Sequence, residues 1–292
     1  MKIRSLSALF GVFSLILGLA TQASDSLNPY VMAADGKGDM AKDVIAVTEK
    51  LTTAGFTVVG DYAPYSNAHV IAVTNDEIKA NAGNSEFGVY GAVVKVSLTA
   101  VAGKMQVAYT NPIYLANAYR MKDSLEGVAA KLKETLSGGQ GFGSEDGVEV
   151  DDLREYQYKS FVTPDLDSAQ DDVAKHSSYE EAVEHINKAL AKGVGGSQKV
   201  YQVDLGNDKT LFGVAFSEGD SADKSVMDIV DSGEMKHTAH LPYEVAVMGR
   251  KVYFLNAKFR LAVMFPDLSM GTFMKISSVP GAIEDVIEEI AD

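Results

Sequence analysis

Apolar residues return at helical spacing in several separate stretches of the chain. Val44, Val47, Thr48 and Leu51 share one face of a helix that Gly55 ends, and Ala182, Val183, Ile186 and Leu190 repeat the pattern in a helix over Tyr179 to Lys192. A helix from Ser124 to Leu136 turns Leu125, Val128, Ala129 and Leu132 to its apolar side, and an acidic helix over Pro280 to Ile290 closes the chain. Between them the period shortens to two. "FTVVGDY" and "HVIAVT" read as strands, and "AVVKVSLTAVAGKMQVAYT" reads as a hairpin around Ala102-Gly103-Lys104, whose second arm alternates Met105, Val107 and Tyr109 with polar or small residues. Asn75 to Glu86 reads as helix or loop. Further on, "KVYQVDL" and "TLFGVAF" are strands around Asn207-Asp208, "SADKSVMDIV" is a short helix, and "LPYEVAVMGRKVYFLNAKFRLAVMF" is a run of strands.

The two halves follow one order: helix, strands, helix, strands, proline corner, helix. A shift of 154 positions lays Pro112 on Pro266, Ser124 on Ser278 and Gly127 on Gly281. A shift near 139 lays Val44, Val47 and Leu51 on Val183, Ile186 and Leu190. An internal duplication with an insertion of about 15 residues accounts for both. The expectation is therefore an α+β protein of two related domains, residues 24–137 and 178–292. Residues 138–177 are a linker, to which "YQYKSFV" adds one strand. Gly139, Gly141 and Gly143 follow a helix, with no strand feeding them, so they do not form a nucleotide-binding loop.

The first 23 residues carry Lys2 and Arg4, an apolar run from Leu6 to Ala20, and small residues up to Ala23. This is the pattern of an export signal cut after Ala23, giving a periplasmic or secreted protein. The run is shorter than the roughly 20 residues that span a bilayer, and no later segment approaches that length. Cysteine is absent, which excludes disulfides, thiol catalysis and thiolate metal sites. The formal charge of −14 becomes −16 once Lys2 and Arg4 are removed, which disfavours nucleic acid as a partner.

Leu241-Pro242 and Phe212-Gly213 in the second half, and Tyr109-Thr110-Asn111-Pro112 with Tyr114-Leu115 in the first, resemble motifs of the bacterial domain-of-unknown-function 302 family. The resemblance implies two domains, each a curved antiparallel sheet backed by two helices, similar to half of the TATA-binding protein. It implies no activity. The first copy lacks the Leu-Pro pair, and the second has Phe265-Pro266-Asp267 at its proline corner, so a pocket shared by the family would differ between the copies.

Metal-binding side chains crowd together only in "MKHTAHLPYE", which brings Met235, His237, His240 and Glu244 close in sequence. Imidazole and thioether suit copper or haem iron. Against this, His237 and His240 share a face only in a helix, and the stretch leads into a strand. Met264, Met270 and Met274 surround the second proline corner, where methionine most often fills core space. Tyr62, Tyr65, Tyr109, Tyr114 and Tyr119 read either as the lining of an aromatic cleft or as core tyrosines with hydroxyls at the edge. Tyr109, Asn111, Tyr114, Asn117 and Tyr243 are the candidate ligand contacts. No Gly-x-Ser-x-Gly elbow, His-Glu-x-x-His helix or phosphate loop is present. The expected function is that of an exported, soluble, non-catalytic protein without a cofactor, binding a small ligand or a protein partner. Two alternatives remain: a copper or haem binder using Met235, His237 and His240, and a hydrolase or isomerase built from carboxylates and tyrosines. An open sheet edge in each copy leaves pairing between copies, or between chains as a homo-oligomer, open.

Overall fold

The computed structural model of the chain describes residues 26–155 and 163–292, so the expected export signal and the "YQYKSFV" strand lie outside the described residues. After β1 (Ser26–Leu27) and β2 (Tyr30–Met32), helix α1 (Met40–Thr53) starts where the Asp39 side chain accepts the Lys42 N–H, and it buries Val47 and Leu51. Strands β3 (Thr57–Tyr62) and β4 (Ala68–Thr74) follow. The stretch read as helix or loop is helix α2 (Asp76–Asn84), capped by Asn75. The hairpin of β5 (Val94–Val101) and β6 (Lys104–Thr110) turns on Ala102 and Gly103, both with positive φ, as a two-residue loop that follows the strand twist requires. Helices α3 (Pro112–Ala118) and α4 (Glu126–Leu136) complete the first half.

The stretch expected as a linker is instead built into the fold. It holds β7 (Gly141–Phe142), β8 (Val148–Glu149), α5 (Val150–Glu155), α6 (Leu166–Ala169) and β9 (Gln170–Lys175). The second half then runs α7 (Tyr179–Lys192), β10 (Ser197–Gly206), β11 (Lys209–Phe216), α8 (Asp223–Val230), β12 (Tyr243–Met248), β13 (Lys251–Leu255), α9 (Ala257–Met264), α10 (Met270–Lys275) and α11 (Val279–Ala291).

The fold is α+β, with antiparallel sheets backed by helices. The larger sheets have the orders β3-β4-β5-β6-β2-β7 and β10-β11-β12-β13-β9, so five strands of the first correspond one by one to the five of the second. Helices α1 and α4 pack together behind the first sheet, and α7 and α11 pack together behind the second. Residues 257–264, expected as strand, form α9. Nearly all of them are buried, so no polar face reveals the helical period. The Asn256 side chain accepts the Lys258 N–H at the start of α9, as the Asn111 side chain accepts the Ile113 N–H at the start of α3. The equivalent corners are therefore Asn111 and Asn256, a displacement of 145 positions (111 to 256). Pro266 lies beyond α9 and has no part in the corner.

The faces not covered by helices turn toward each other. Edge strands β3 and β10 lie close together, and a Cβ on Gly60 would overlap the Val200 carbonyl oxygen, so only glycine allows this approach. Buried apolar residues form one cluster running through both halves. No helix among the described residues is long and apolar enough to cross a membrane.

Candidate functional site

Between the halves the polar side chains form two arrangements, one buried and one open. In the buried one, Lys95 of β5 pairs with Glu244 of β12, and Arg260 Nε of α9 lies 2.8 Å from the other Glu244 oxygen. Tyr201 donates to Glu244 at 3.3 Å, while Arg260 Nη2 donates to the carbonyls of His240 and Pro242 at 2.6 Å each. The guanidinium also sits 4.2 Å over the Tyr243 ring. Burial pulls the Lys95 ammonium down to about 8, against the attraction of Glu244. All three charged groups are almost fully buried, so they bolt the halves together and offer no access to a ligand.

Asp223, at the start of α8, accepts the Tyr62 hydroxyl at 2.8 Å across the same junction. Its burial raises the carboxyl to about 7, against the opposing effect of that hydrogen bond. Thr238 takes part in hydrogen bonds with Tyr65 at 3.0 Å and Thr99 at 2.9 Å. Gln106 donates to the Glu234 carbonyl at 2.8 Å and accepts the Lys236 N–H at 3.0 Å. Residues 231–240, which connect α8 to β12, are thus pinned by β5, β6 and the β3–β4 turn of the first half.

That pinned loop forms one wall of a cleft of about 910 Å³. The opposite wall comes from Asn28 and residues 140–145 of the first half, and Phe265, residues 267–269 and Thr272 close the remaining side. Asp267 joins the walls, accepting the Ser144 hydroxyl at 3.1 Å and the Glu145 N–H at 2.6 Å. His237 lies in the cleft, 17% exposed, with its ring 5.1–5.2 Å from those of Tyr30, Phe142 and Phe265. Its Nδ1 is 2.8 Å from Asp231 Oδ1, and both Asp231 oxygens accept the His237 N–H at 3.0 Å.

Of the expected site residues, His237 and Met235 line this cleft, and His240 does not. The His240 ring is fully buried, edge-on to Tyr243 and Phe265. Burial and the nearby Arg260 guanidinium hold its pKa well below the usual histidine value. Glu244 belongs to the buried ion pairs. Tyr109 and Tyr243 are core side chains, and Asn111 caps α3 while its amide donates to the Asn28 carbonyl. The Tyr114 hydroxyl donates to the Val263 carbonyl at 2.6 Å, and Asn117 accepts Arg154. The five candidate ligand contacts are therefore spread through packing and capping roles. Sequence reasoning missed Asp231, Phe142, Phe265 and Asp267, whose only signal was the unusual crowding of His and Met near a loop. Among the described residues, no group of three or more His, Asp or Glu side chains converges as a metal site.

No family model matches the chain, and no curated protein or solved structure matches it.

Proposed function

We propose that this is an exported, non-catalytic protein that binds a small ligand in the cleft between its two α+β halves. The observation that carries this reading is the cleft of about 910 Å³ at the junction, with His237 oriented inside it by Asp231. Ligand sites favour such concave junctions, with an apolar floor and a few fixed polar groups. Phe142 and Phe265 supply the floor, and His237 and Ser232 supply polar atoms. The common strand order of the two sheets supports descent from one duplicated domain, and it accords with the family resemblance of the corner motifs. Export follows from the pattern of the first 23 residues.

The test is a thermal-shift screen of small molecules on the wild-type protein and on Thr272→Trp, which fills the cleft. The expected result is a compound that raises the Tm of the wild type and leaves the variant unchanged. Equal shifts in both, or none in the wild type, would reject the cleft as a binding site.

A further inference from the structure

The open edge of the first sheet runs into the cleft. Among the described residues β7 is the last strand of that sheet and pairs with β2 alone, Phe142 opposite Tyr30 and Gly141 opposite Val31. In an antiparallel pair, residues alternate between exchanging main-chain hydrogen bonds with the partner strand and pointing them away from it. The Met32 N–H donates to the Gln140 carbonyl at 2.9 Å, so Phe142, two residues on, also bonds toward β2, and Gly141 between them turns its N–H and C=O outward. Pro29 and Ala33, of the opposite phase in the neighbouring chain, bond to Asn111 and Val107 on the other side, as this alternation requires. Gly141 lines the cleft. Past it the edge is closed, because the Ser144 N–H donates to Asn28 Oδ1 at 2.9 Å and the Glu145 N–H to Asp267 at 2.6 Å. A short strand edge is thus left for an incoming chain, inside a concavity.

The charged groups around that edge are all acceptors. Glu145 stands exposed on the wall of the first half and Glu234 exposed on the facing loop, Asp267 joins the walls, and no Lys or Arg lines the cleft. His237 adds to them, because the Asp231 carboxylate can only accept at Nδ1, which puts the ring proton there and leaves Nε2 as an acceptor. Such a lining attracts cations and disfavours anions. Phe142 and Phe265 supply apolar surface beside it. Lys and Arg side chains suit both, with an alkyl stem for apolar surface and a charged head for carboxylates.

We infer that the cleft takes a short basic peptide, which adds to β7 as an extended strand, its main chain bonded to the Gly141 N–H and C=O and its Lys or Arg side chains directed to Glu145 and Glu234. This rests on the ligand-binding reading of the cleft and names the class of its ligand. In strand addition the main-chain bonds supply affinity and the alternate side chains supply selectivity. The residues before and after the one that pairs with Gly141 turn to the same side, so a basic residue at each of these two places presents both charges together.

The experiment is isothermal titration calorimetry at low ionic strength with the blocked tripeptide acetyl-Lys-Val-Lys-amide. The wild type is expected to bind a single equivalent, and acetyl-Glu-Val-Glu-amide is expected not to bind. The double variant Glu145→Gln/Glu234→Gln should bind the basic peptide roughly five- to tenfold more weakly with unchanged circular dichroism. Methylation of the valine nitrogen removes the N–H that the Gly141 carbonyl would accept, and should weaken binding to the wild type roughly tenfold. No binding of the basic peptide, or equal affinity in the double variant, would overturn the inference. Equal binding of the methylated peptide, or of 1,5-diaminopentane, would show that the cleft takes any organic cation and would overturn the strand pairing. If the peptide does not bind but a small molecule still gives a Tm shift that Thr272→Trp abolishes, the peptide assignment falls and the ligand-binding reading stands.

Discussion

Asp231 and His237 are joined twice, Oδ1 to the ring Nδ1 at 2.8 Å and both carboxylate oxygens to the His237 N–H at 3.0 Å. Replacing Asp231 therefore removes both the charge and the hinge that aim the imidazole. Asp231→Ala should cost about 1–3 kcal/mol of stability and reduce the Tm shift that a cleft ligand gives. Urea unfolding and the thermal-shift screen measure the two effects. A ligand-induced shift equal to that of the wild type would show that the pair is structural only.

The buried Lys95–Glu244–Arg260 group predicts an order of damage. Glu244 is the single anion between two cations, so Glu244→Gln leaves Lys95 and Arg260 unpaired together. Lys95→Met leaves Glu244 still facing Arg260. Breaking a buried pair costs about 3–5 kcal/mol, and Glu244→Gln should lie at or above that range with Lys95→Met below it. Urea midpoints in the reverse order would contradict this account.

Asp223 makes stability depend on pH. Burial raises its carboxyl from 3.8 to about 7, so the folded protein keeps the proton across a window where the unfolded chain has released it. The contribution is complete below that window and is lost as pH rises through about 7. The groups facing Asp223 are Tyr62 and the Phe216 N–H, which donate to it, and the more distant Arg260, Tyr243 and Tyr65. Between pH 4.5 and 8 the wild type should lose roughly 2–4 kcal/mol from this group, a loss that Asp223→Asn should abolish. Urea unfolding of both proteins across that range checks it, and a variant as pH-dependent as the wild type would refute it.

Two glycines separate crowding from backbone strain. Gly60→Ala places a methyl against the Val200 carbonyl and must push β3 from β10, at a cost above about 2 kcal/mol. Gly55 has φ +87° with nothing near its Cβ position, so Gly55→Ala should cost only about 1 kcal/mol. Calorimetric Tm values distinguish the two, and equal losses would show that the strands part at little cost.

Much of the secondary structure was legible because it is written in local periodicity. The faces of α1, α4 and α7 follow from apolar spacing, and the β5–β6 hairpin from alternation around Ala102-Gly103. Helix α9 was not legible, because burial on nearly all sides erased its polar face. The register between the halves went wrong for a related reason. Proline is conspicuous in a sequence, but the corner is set by the capping side chains of Asn111 and Asn256. In the candidate site, the crowding of Met235 and His237 was visible. His240 stands equally close in the sequence, yet it packs into the core beside Arg260, and no local pattern separates the two histidines.

The sequence by itself determined the amphipathic faces of α1, α4 and α7, the β5–β6 hairpin, the absence of thiol chemistry and the acidic charge. Each of these depends on neighbouring residues or on composition. Only the tertiary structure decided which charges are buried, which imidazole reaches the cleft and where the halves touch. Lys95 meets Glu244, Tyr62 meets Asp223 and Ser144 meets Asp267 across more than a hundred residues of chain. These contacts arise from packing two sheets face to face, and burial then fixes their chemistry by removing water from some groups and leaving His237 at the edge of it.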